Sequence, residues 1–147
     1  MQEKLITFET AKSAKEKGFC IELYDFYYQN KSNAKPYVTQ GIEYQSDRNC
    51  KWDWNLNGGE SGTLTKIIPY PNDTSGIYYS APTQSLLQKW LRETHKIYVL
   101  VDMGITRNYH WKYFTDIDSF VYPKGSFKTY EEALEAGLQE ALKLIEP

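Results

Sequence analysis

The stretch Thr129-Tyr130-Glu131-Glu132-Ala133-Leu134-Glu135-Ala136-Gly137-Leu138-Gln139-Glu140-Ala141-Leu142-Lys143 decides the fold class. Thr129 and Glu132 stand three apart, as a capping box requires: the hydroxyl accepts an amide of the first turn and the carboxylate reaches back to the cap. Behind them Tyr130, Ala133, Leu134, Gly137, Leu138, Ala141, Leu142 and Ile145 recur at helical spacing, so one side of the helix is apolar. Glu131, Glu135, Glu140 and Lys143 are expected on the opposite, solvated side. The small residues Ala133, Gly137 and Ala141 let another element approach closely, and an amphipathic helix of this kind lies against a sheet.

Two further helices share the pattern. Thr7 can cap a helix over 8–17, with Gly18 as its left-handed stop. Pro82 suits the first position of a second helix that carries Leu86, Leu87, Trp90 and Leu91 to about residue 93 or 94. Between them, Cys20 to Tyr28 reads as a strand that opens on a buried cysteine, and Lys35 to Gln40 as its antiparallel return. Ile97 to Met103 is an apolar, β-branched strand, paired with Tyr109 to Phe114 across a turn at residues 105–108, and Phe120 to Tyr122 suits a short edge strand. The region of about 38–77 keeps no sustained period and reads as a loop or hairpin insertion, with Trp52 to Leu56 and Gly62 to Ile68 as candidate arms. The expectation is one α+β domain over 1–147, in the order α-β-β-(β-β)-α-β-β-α. Three helices gather mainly on one face of an antiparallel sheet.

Composition bounds the function. The 147 residues suit one core, and a formal charge of −2 argues against a protein built to hold nucleic-acid backbones. The N-terminus has no apolar leader and the longest apolar run, Ile97 to Val101, is far too short to span a membrane, so a cytoplasmic location and no membrane partner are expected. Cys20, Cys50, His95 and His110 show no metal-ligand spacing, and Asp116 with Asp118 reads as edge charge, so no metal and no cofactor are expected. Gly58-Gly59-Glu60-Ser61-Gly62 lacks the Lys-Ser/Thr ending of a phosphate loop, and no Ser sits in a nucleophile elbow. No catalytic residue is assigned, and the chain reads as a non-enzyme.

The aromatic fraction of 16% stands out, with 13 Tyr. Tyr44, Trp52, Trp54, Tyr70, Tyr78 and Tyr79 lie in loop-prone sequence, where they either line a binding surface or pin the insertion to the sheet. A basic group, Lys89, Arg92, Lys96, Arg107 and Lys112, offsets the acidic final helix. The candidate binding residues are therefore Trp52, Trp54, Tyr78, Tyr79, Arg92, His95, Arg107 and Lys112, facing a protein partner or, alternatively, a nucleotide-like anion trapped between rings and cations. An exposed aromatic face also suits a homo-oligomer.

Three segments carry a resemblance: 6–12 with 14–19, Ala81-Pro82-Thr83-Gln84-Ser85-Leu86-Leu87-Gln88-Lys89-Trp90-Leu91-Arg92-Glu93 with His95, and Tyr130 to Leu138. In them the chain resembles a family of small proteins typical of phages, prophages and mobile elements of Bacteroidetes. The resemblance implies a phage-type accessory role inside a bacterial host and assigns no activity or catalytic residue. The 38–77 region falls where that family varies in length.

Overall fold

The computed structural model describes residues 3–30, 42–46, 55, 76–115, 121 and 125–146. Their order is α1 (Phe8–Glu16), β1 (Asp25–Asn30), β2 (Ile42–Ser46), β3 (Gly76–Ser80), α2 (Gln84–His95), β4 (Ile97–Met103), β5 (Tyr109–Thr115) and α3 (Tyr130–Lys143). The class is α+β, as the pattern predicts. The strands form two antiparallel sheets rather than one: β2-β1-β3, and the ribbon β4-β5.

The first and last helices start at the caps the sequence places, and α2 starts two residues later than expected. Thr7, Thr83 and Thr129 accept from Thr10 N–H, Leu86 N–H and Glu132 N–H, and the capping box at Thr129 is complete. Thr83 is the cap of α2, so Pro82 precedes the helix instead of opening it; its carbonyl accepts from Ile6 N–H at 3.0 Å. Gly18 closes α1 at φ +83°, which any side chain would resist.

The sheets differ from expectation at β4. Only Lys96, in the left-handed region at φ +57°, separates α2 from β4, so α2 folds straight back along the strand. Gln88 then donates from Nε2 to the Val99 carbonyl at 2.6 Å. A helix side chain thus takes a main-chain acceptor on the outer edge of β4, and the ribbon stays separate from β2-β1-β3. The first sheet also assembles otherwise than predicted: β1 begins at Asp25, its return partner is β2, with Tyr27 opposite Tyr44, and β3 lines its other edge. The predicted return at 35–40 and the hairpin arms lie outside the described residues, apart from Asn55, which is helical rather than part of a strand arm and whose side chain bonds Phe19 O and Ser80 N–H.

The core gathers Phe19, Leu87, Leu91, Val99, Leu138 and Leu142, all nearly or fully buried, each contributing about 1.5–3 kcal/mol by leaving water. α3 packs on both strands of the ribbon and touches α1 and α2, while α1 also reaches β3. At Gly137 a Cβ would fall 2.8 Å from Val99 Cγ1 and 3.0 Å from Trp111 Cβ, so the glycine sets the helix–ribbon spacing. Three expectations are corrected. Cys20 is exposed, because the chain runs irregularly there and Phe19 takes the core position. Tyr130, although on the apolar stripe, is 43% exposed, its ring meeting Tyr109 edge-on at the first turn of α3. Glu135 is buried: Thr7 N–H and Oγ1–H donate to Oε1 at 2.8 Å each, Thr10 Oγ1 donates at 2.5 Å, and Gln84 Nε2 donates to Oε2 at 2.7 Å.

Candidate functional site

The ribbon β4-β5 carries the exposed chemistry. Its register places Ile97, Val99, Val101 and Met103 opposite Thr115, Tyr113, Trp111 and Tyr109 on the face toward α3. The far face holds the alternate pairs Tyr98–Phe114, Leu100–Lys112 and Asp102–His110. Tyr98 and Phe114 stack at 4.6 Å with planes 3° apart. Lys112 Nζ bonds Asp102 Oδ2 at 2.5 Å. His110 Nδ1 lies 2.7 Å from Gly125 O, and because a carbonyl only accepts, Nδ1 carries the proton. Its Nε2 faces the main chain, 3.0 Å from where a Gly104 Cβ would be, so this Asp–His pair does not present a base to a substrate.

The tip is closed by Gly104 N–H to Asn108 O at 2.8 Å and Arg107 N–H to Gly104 O at 3.0 Å, with Arg107 at φ +61°. Beyond it the surface turns apolar. Ile105 is fully exposed and Met103 is 64% exposed, while Leu100, on the far face, is 41% exposed. Tyr130 meets Tyr109 edge-on beside them at 6.3 Å.

The residues singled out from the sequence scatter over the molecule. Trp52 and Trp54 lie outside the described residues, as do the side chain of Tyr44 and all of Tyr70. Tyr79 is not a surface ring: it is buried against Phe8 at 5.1 Å, its hydroxyl bonds Gln29 Oε1, and Lys15 Nζ sits 5.0 Å above the ring. Strand alternation turns it into the core. Burial, then the nearby Glu16 and Glu9, raise its phenol pKa. Tyr78, one residue earlier, points the other way and packs half-buried between Phe26 and Tyr28.

Arg92 is exposed on α2. His95 rests edge-on against Trp90 at 4.5 Å, and Trp90 meets Phe19 at 5.3 Å. His95 Nε2 is buried with no described partner, and burial holds the imidazole pKa below its ordinary value. Arg107 and Lys112 do share the ribbon, although Lys112 is ion-paired. Arg92 lies beside the Ile97 end of β4 and Arg107 beyond its Met103 end, about 20 Å apart at ~3.3 Å per residue. One small anion cannot touch both.

The sequence reading missed Leu100, Met103 and Ile105. Its signal was present in Ile105, a β-branched apolar residue inside a turn, where packing gives it nothing to bury against. Among the described residues no group of three His, Cys, Asp or Glu side chains could hold a metal ion, and no helix is long and apolar enough to cross a membrane. Comparison with protein-family models, with curated proteins and with solved structures finds no match to this chain.

Proposed function

We propose that this chain is a non-enzymatic accessory protein, of the phage or mobile-element type its helices resemble, that acts in the bacterial cytoplasm by binding a protein partner through the β4-β5 hairpin. The observation that carries the reading is the exposure of two aliphatic side chains, Met103 at the end of β4 and Ile105 in the turn that follows. A solvated turn is normally polar, and a pair of this kind, next to Arg107 and Tyr130, is what a protein partner covers. The aromatic residues described here mostly support that surface from within the fold.

The test is capture from host cells with the native chain and with Ile105→Asp, whose side chain supports nothing in the fold. A specific partner held by the native chain and lost at least tenfold with Ile105→Asp, at unchanged melting temperature, is expected. Equal capture by both overturns the assignment of the hairpin. Thermal-shift screening against nucleotides and cyclic dinucleotides adds the other arm. Stabilisation that disappears in Arg92→Ala would favour sequestration of an anionic ligand instead.

A further inference from the structure

We infer that the outer edge of β4, from Leu100 to Gly104, accepts an extended segment of the partner as an added antiparallel strand, with a cationic residue placed opposite Asp102. This rests on the reading of the hairpin as a binding surface and specifies how it binds. The main-chain pattern comes first. On β5, Tyr109 and Tyr113 turn their N–H and C=O groups outward, to Phe127 and Val121. Their partners Met103 and Val99, and Val101 between, must therefore point their own groups away from β5, and Val99 does, giving its carbonyl to Gln88. From Val101 onward none of the described residues bonds the outward N–H and C=O groups of Val101 and Met103.

Exposed strand edges are ordinarily blunted with Lys, Pro or a bulge. β4 reads Ile97-Tyr98-Val99-Leu100-Val101-Asp102-Met103 and has none of these. Its single charge is Asp102, whose side chain is 57% exposed; Oδ2 is on Lys112, and Oδ1 accepts from no described residue.

Charge chooses the occupant. In a second copy paired about a two-fold axis with Val101 against the other Met103, two Asp102 carboxylates would stand directly opposite each other, a destabilising cross-strand pair. A heterologous strand can set a cation there instead. Alternation fixes its chemistry: apolar side chains opposite Met103, Val101 and Leu100, and Lys or Arg opposite Asp102.

The probe is the capped peptide acetyl-TVKVLT-amide, titrated into the ¹⁵N-labelled full chain, with acetyl-TVEVLT-amide as control. Expected are shift changes confined to the amides of 100–104 and slowed exchange of the Val101 and Met103 N–H groups. The Glu control should bind about fivefold to tenfold more weakly, and Asp102→Lys should reverse that preference. Met103→Pro removes only an outward-facing donor, so it should fold normally and lose the peptide. Absence of shifts at millimolar peptide, shifts elsewhere, or binding retained by folded Met103→Pro overturns the inference. A dimer in light scattering with these amides already protected also overturns it, in favour of a second copy. If the cellular partner is lost with Ile105→Asp yet kept with Met103→Pro, the hairpin remains the binding surface and strand addition alone fails.

Discussion

Glu135 is the residue on which three elements meet. Its carboxylate sits at the N-terminus of α1, accepts from Thr7 and Thr10, and receives the Gln84 amide from the first turn of α2. Gln139 adds a bond to Thr10 Oγ1, and Tyr27 donates to Ile6 O beside it. Burial first, then the charge of Glu135, raise the Tyr27 phenol pKa. Removing the carboxylate would leave these donors facing each other in a closed space. Glu135→Ala should therefore cost about 3 kcal/mol in urea denaturation, whereas Glu131→Ala, one turn earlier and exposed, should stay within about 1 kcal/mol. Glu135→Gln keeps one acceptor oxygen but turns an NH₂ toward the Gln84 NH₂, for an intermediate loss of about 1–2 kcal/mol. Equal effects at 131 and 135 would show the cluster to be incidental. The sequence held a signal for this burial. Glu135 precedes Leu138 by three and Leu142 by seven, in line with the apolar stripe, yet a charge reads as solvent-facing because hydroxyls from a helix 125 residues away are invisible along one helix.

At the scale of elements, the helices and the β4-β5 hairpin were legible and the pairing of the first sheet was not. A cap, an apolar stripe and a left-handed stop are local, so α1, α2 and α3 follow from a dozen residues each. Register and sheet membership depend on distant partners, and β1 pairs with 42–46 on one side and 76–80 on the other, which no local pattern announces. Gly137 lies on the border between these cases: its small size announced a close approach, but only the structure names Val99 and Trp111 as the neighbours. Gly137→Ala should destabilise by about 1–3 kcal/mol, despite the better helix propensity of alanine, because the new Cβ meets a β-branched side chain of a packed strand. Combining it with Val99→Ala opens space for that methyl. The double variant should lose less than the sum of the two single losses. Strict additivity, measured by the same denaturation, would mean that α3 shifts as a body and the contact exerts no pressure.

At the scale of the whole molecule, most aromatic rings among the described residues went into cohesion. Phe19, Trp90, Tyr79 and Trp111 pack within or against the core, while Leu100, Met103 and Ile105 meet water, so counting rings in the sequence pointed away from the exposed hairpin. Arg107 is exposed, as a charge at a turn is expected to be, whereas Lys112 is largely covered and ion-paired, and His95 ends α2 one or two residues beyond the expected stop. The same His95 links packing to pH. At the end of α2 the negative helix terminus favours a cation. Burial against Trp90 opposes this and prevails, since the imidazole pKa is lowered from its ordinary 6.5. The folded state then holds fewer protons than the unfolded chain as pH falls below about 6.5, so stability is complete above that value and declines until the lowered folded pKa is passed. The melting temperature of the native chain should drop between pH 7.5 and 5.5, above the range in which ordinary carboxylates titrate. His95→Phe keeps a ring edge-on to Trp90 while removing the proton site, and it should flatten that drop. A variant that melts with the same pH slope as the native chain would place the titrating group elsewhere and leave His95 a purely apolar wedge between α2 and the strand that follows it.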